Sequence, residues 1–135
     1  MPERSKRGPK VPTHEDLYRA ILYPSWWKED RYPPLTTAAF AQNPFSADIA
    51  SLTTPSRTLA RFEEGSGLVA FSCGKARELG FDARQEQDER FPDNEAHANV
   101  YCNGARTPSR SMAKNLTQVC RIIEKPHFAT PDDHP

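Results

Sequence analysis

Apolar residues are spaced in several distinct ways along this chain of 135 residues. Leu17, Tyr18, Ile21 and Leu22 recur at helical intervals. Thr13 precedes them as a cap, with Asp16 three residues on, and Pro24 ends the run. This spacing predicts a helix over about 14–23. Thr54 and Pro55 supply a cap and a first helical residue, so a second helix is expected over 55–62, ended by Gly65 and Gly67. Leu68 to Phe71 is wholly apolar and follows Gly67, as a buried strand does. Ser72 then caps a helix over 73–79 that Gly80 stops. Ala96 to Tyr101 alternates, with Ala96, Ala98 and Val100 on one side and His97, Asn99 and Tyr101 on the other. Met112, Leu116, Val119, Cys120 and Ile123 form an apolar stripe, which predicts a terminal amphipathic helix over 108–123.

These elements add up to a small α+β domain over 13–124. Two or three short strands, around 45–50, 67–72 and 96–102, carry helices that include the C-terminal amphipathic one. Residues 1–12 read as a flexible basic arm and 125–135 as a flexible tail, because both are rich in proline and charge. Composition makes the core modest. Hydrophobic residues are 36% of the chain, against roughly 45–50% in an average domain. Disorder throughout is excluded by 7 Phe, 4 Tyr and 2 Trp, since disordered chains are poor in aromatics.

The 18 basic and 18 acidic residues cancel, which excludes a strong whole-molecule field for nucleic acid. Their placement is uneven. An acidic stretch over 82–95 is followed by a basic one carrying Arg106, Arg110, Lys114, Arg121 and Lys125. The three cysteines, Cys73, Cys102 and Cys120, are an odd number without a pairing pattern. That suits a reducing cytoplasm. The N-terminus has no apolar signal region, and no apolar run is long enough for a membrane helix.

Four groups of residues carry candidate chemistry. Ser72, Cys73, Gly74 and Lys75 form a strand-to-helix turn whose N–H groups would favour an anion, with Cys73 as a conceivable nucleophile. The plainer reading of the same turn is a Ser cap with a small buried Cys. His97 suits a general acid or base, with Asp48 or Cys73 as a partner, or else a surface His bonded to a neighbour. Arg110 and Lys114 on the basic side of the terminal helix, with Arg106 in the preceding loop, suit phosphates, or simply a solvated face. Tyr23, Trp26, Trp27 and Tyr32 lie among prolines and suit a protein interface, or a loop folded over the core. No His or Cys spacing matches a metal site, and no cofactor motif occurs.

The order of the segments Leu17-Tyr18-Arg19, Trp26 or Trp27, Ala39-Phe40, Ser46-Ala47-Asp48, Gly67 to Gly80 and Pro92 to Val100 resembles a set of small uncharacterised bacterial proteins. The likeness covers about residues 17–114. Where such proteins carry a Lys-rich turn after the closing strand, this chain has Asn103-Gly104-Ala105-Arg106. The resemblance implies one compact domain of bacterial cytoplasmic origin and no particular activity. It directs attention to His97 and to the turn at Cys73.

Three functions are therefore expected in order. The first is a non-enzymatic interaction or accessory protein with a protein partner, as in a bacterial multi-gene defence-type system. The second is binding of nucleic acid or a phosphate ligand through the basic helix face. The third is a small hydrolase or transferase centred on His97.

Overall fold

A computed structural model describes residues 7–104 and 107–128. Its frame is one antiparallel sheet of six strands in the order β4-β5-β2-β1-β3-β6. The strands are β1 (Asp16–Ile21), β2 (Phe45–Ile49), β3 (Gly67–Ser72), β4 (Phe81–Gln85), β5 (His97–Cys102) and β6 (Arg121–Glu124). Among the described residues three α-helices accompany them: α1 (Pro55–Leu59), α2 (Cys73–Glu78) and α3 (Arg110–Gln118). The expected sheet of two or three strands is thus corrected to six. The three strands expected at 45–50, 67–72 and 96–102 form, and three more join them.

Each added strand has a local cause. Residues 14–23 do not form a helix. Strand β1 instead places Leu17, Arg19 and Ile21 on one side, all buried. The apolar spacing there fits both periods, and pairing with β2 and β3 selects the extended one. Strand β4 lies within the acidic stretch, where Phe81 and Ala83 point inward and Asp82 and Arg84 outward. The terminal helix stops at Gln118, and Arg-Ile-Ile-Glu continues as β6 against β3. Two adjacent isoleucines suit a strand better than a helix end.

The two faces of the sheet differ in chemistry. One face carries Leu17, Ile21, Phe45, Ala47, Ile49, Val69, Phe71, Phe81, Ala83, Ala98 and Val100 into a single core. Phe45 lies at its centre, with Phe40, Phe71 and Phe81 packed tilted or edge-on at 5.2–6.1 Å. Trp26, Trp27, Leu35, Ala39, Ala113 and Leu116 close this core from outside. Arg19 lies among them, stacked on Trp26 and Phe45. It donates to the carbonyls of Ala39 and Ser46, each at 3.0 Å, and its remaining nitrogen has no partner among the described residues. Burial lowers its pKa to about 9.

The other face carries Tyr18, Ser46, Asp48, His97 and Asn99 and is covered by α1, which packs on β1 and β3. The free side of β4 is closed by the chain's own N-terminal segment. Val11 donates to the Ala83 carbonyl at 3.0 Å and Gln85 to that of Pro9 at 2.9 Å. Residues 7–12, expected in the mobile arm, are therefore built into the sheet edge. At the other end of the chain His127 donates to the Gly65 carbonyl at 2.7 Å, so 126–128 are also docked.

Candidate phosphate-binding cavity

In the turn at Ser72 to Lys75 the backbone N–H groups of Cys73, Gly74 and Lys75 are already taken. Cys73 N–H donates to Glu15 and Gly74 N–H to Thr13, at 2.9 and 3.0 Å, while Lys75 N–H donates to the Ser72 hydroxyl. Gly74 is needed because a β-carbon there would come within 2.9 Å of Thr13. The Cys73 thiol is fully buried in the core near the Val11 carbonyl, and burial raises its pKa. The geometry here is that of a Ser-capped helix joined to the 13–15 segment. Lys75 lies 3.9 Å from Glu78.

His97 and Asp48 face each other across β2 and β5 on the polar face. Cys73 belongs to the opposite face, so the structure separates it from His97. Asp48 is buried and accepts hydrogen bonds from Thr58, Arg61 and Asn94. The His97 Nδ1–H donates to the Glu86 carbonyl at 2.7 Å, because a carbonyl only accepts. Nε2 lies 3.2 Å from the Ser46 hydroxyl and 3.7 Å from Asp88. A serine beside a positioned imidazole suggests a nucleophile. The cavity reaching these groups holds only about 30 Å³, room for a water and not for a substrate. Their evident task is to tie the 86–95 loop to the sheet. Outside them a cleft of about 630 Å³ is lined by Arg57, Arg61 and Arg90, but also by Asp93 and Glu95.

A different cavity gathers cations without acids among the described residues. It measures about 620 Å³ and lies between α3 and the 31–37 loop. Arg31, Arg110 and Lys114 line it, with Tyr32, Thr37 and Gln118. Local structure fixes both walls. Ser109 caps α3 by accepting from Met112 N–H, and Arg110 and Lys114 are one turn apart on the same side. Opposite them, Lys28 donates to Pro34 at 2.7 Å, Thr36 donates to Trp26 at 3.0 Å, and Trp27 bridges Leu35. The chain thereby folds back on itself and presents Arg31 and Tyr32 at its tip. Tyr32 is 96% exposed. None of the three cations has a carboxylate partner among the described residues. A second cavity of about 500 Å³ shares Tyr32, Pro33 and Gln118 with the first and runs on to Ile122 with a more apolar lining.

Arg110 and Lys114 were read from the sequence; Arg31 was not. Its neighbours Glu29 and Asp30 made the local charge look balanced. Glu29 is in fact taken by Lys125 and by the Trp27 indole, at 2.9 Å each. Arg106 lies outside the described residues. Of the four aromatics considered for an interface, Trp26 and Trp27 are buried, while Tyr23 and Tyr32 are exposed. Among the described residues no three His, Cys, Asp or Glu side chains cluster as metal ligands would, and no helix is long and apolar enough to cross a membrane.

No protein-family model, curated protein or solved structure matches the chain.

Proposed function

We propose that this chain is a non-catalytic binding protein for a phosphate-bearing ligand, with single-stranded nucleic acid as the ligand. The observation that carries this reading is the convergence of Arg31, Arg110 and Lys114 on one cavity with no acid among the described residues of its lining. Three neighbouring cations repel one another, and a phosphate relieves that repulsion. Tyr32 adds an exposed aromatic face beside them, and bases stack on such faces whatever their identity. Cytoplasmic location belongs to the same reading, supported by free thiols at Cys73 and Cys120.

The experiment is a titration of a fluorescent single-stranded oligonucleotide, read by anisotropy at several salt concentrations. With three phosphate contacts, log affinity falls against log salt with a slope of about −2. Replacing all three cations with alanine removes both the binding and the slope. Binding that ignores salt, or that survives the triple replacement, sinks the proposal.

A further inference from the structure

The phosphate-binding cavity does not end at Tyr32. It shares Tyr32, Pro33 and Gln118 with the apolar cavity of about 500 Å³, so the two form one trough. The chemistry changes along it. Arg31, Arg110 and Lys114 stand at one end. At the other, Val69 and Ile122 pair across β3 and β6 and line the trough with Pro34. Helix α3 sets the same order along one side. Arg110, Lys114 and Gln118 recur every fourth residue and so form a row, with Gln118 about 6 Å beyond Lys114. A nucleotide has this order too: an anionic phosphate, a sugar, then a flat base with apolar faces. Besides Tyr32, the side chains at the apolar end able to hydrogen-bond a base are Thr117, Gln118, Cys120 and Arg121. Three of them are committed. The Thr117 hydroxyl donates to the Lys114 carbonyl at 2.6 Å, and the Cys120 thiol to that of Leu116 at 3.2 Å. Arg121 is held by Asp16 at 3.0 Å. Gln118 is exposed, and its amide has no partner among the described residues.

We propose that the apolar cavity seats one base of the bound strand and that Gln118 selects adenine there, an inference that rests on the phosphate-binding reading of the adjoining cavity. Stacking on Tyr32 accepts any base, whereas a hydrogen-bonding edge does not. An amide sets one acceptor beside one donor. Adenine offers the complement, N6–H2 and N7, while guanine offers two acceptors on that edge, O6 and N7. The usual reader of guanine is a free Arg fork, and Arg121 is occupied by Asp16. Pyrimidines have no N7 and present a smaller face to the Tyr32 ring. Gln118 is thus the specificity-determining residue, and the three cations supply affinity without sequence information.

Anisotropy titrations of oligo-dA, oligo-dT and oligo-dC, all of one length and at one salt concentration, test it. The wild-type chain binds oligo-dA about tenfold more tightly than the other two, as a good bidentate contact requires. Gln118→Ala brings oligo-dA down to their level. Its salt slope stays at about −2, because the phosphate contacts are untouched. Since Gln118 is exposed, the variant keeps the wild-type circular dichroism spectrum. A second arm changes the ligand and leaves the protein alone. Placing 7-deazaadenine in the strand removes N7, which weakens binding to the wild type several-fold and does not affect Gln118→Ala. Equal affinity for the three strands, a preference for oligo-dA that survives Gln118→Ala, or a 7-deazaadenine strand held as tightly as the adenine strand each overturns this inference. Those results leave the salt slope standing, and with it the phosphate-binding reading. Absence of salt-dependent binding by every strand overturns both, so the two failures are distinguishable.

Discussion

On the polar face of the sheet, almost every buried or half-buried cation has an acid. Arg61 meets Asp48, while Arg77 and Arg84 both meet Asp82, at 2.9 and 2.8 Å. In the cavity beside α3, Arg31, Arg110 and Lys114 meet none among the described residues. The same residue types thus serve two purposes. Paired charges tie the 86–95 loop and α1 to the sheet, and their removal is felt in stability. Unpaired charges contribute little to folding and remain available to a ligand. Arg57 is exposed and has no carboxylate partner among the described residues, but Asp93 and Glu95 share its cleft.

The largest effect expected from this contrast comes from Asp48→Ala. It leaves Arg61 half-buried without its counter-charge and strips Thr58 and Asn94 of an acceptor. The loss is about 3–5 kcal/mol, read from urea unfolding. A change below about 1 kcal/mol would mean that the polar face is not held by this carboxylate. The triple alanine variant in the cavity reverses the pattern. Oligonucleotide binding and its salt slope are lost, while urea stability shifts by no more than about 0.5 kcal/mol per site. Tyr32→Ala is intermediate, about tenfold in affinity by the same anisotropy assay, with stability unchanged. An affinity untouched by this change would remove the stacking half of the proposal and leave the cations.

The smallest effect is at Glu86, which anchors the N-terminal segment. Burial pushes its carboxyl up, but hydrogen bonds from Tyr101, Gly8 and Asn99 outweigh that and hold it below its ordinary value. The Tyr101 hydroxyl is pushed up to about 12, by burial first and then by its bond to Glu86. A carboxyl whose pKa is lowered on folding adds stability that is present above its unfolded pKa and lost as pH falls through the folded one. Tyr101→Phe is therefore expected to cost about 1 kcal/mol at pH 7 and progressively less as the pH falls below that of an ordinary carboxyl. Urea midpoints of the two proteins that stay parallel down to pH 3 would contradict this.

Much of the secondary structure was legible because local chemistry decides it. Thr54, Ser72 and Ser109 each cap a helix, accepting from the N–H three residues on. Strand β3 follows from its apolar run, and the strand at His97 from its alternation. Where a short segment fits two periods, the sequence is silent, and β1 is the example. As a helix it would expose Arg19; as a strand it buries Arg19 under Trp26 and Phe45. Only the neighbouring strands settle that choice. The candidate site was half legible. Arg110 and Lys114 share a helix, and their spacing is visible along the chain. Arg31 joins them only because the loop between Trp27 and Leu35 folds back across the core.

By itself the sequence determined the caps, the apolar runs and the residues able to meet a phosphate, since these depend on contacts within a few positions. Tertiary structure alone decided which charges are matched. Asp48 and Arg61 are brought together by a strand and a helix, whereas Arg31 and Lys114 converge from segments more than 80 positions apart. Charge balance along a chain is a sum, but the field at a cavity depends on distance. A chain that is neutral overall can therefore hold a cavity that is not.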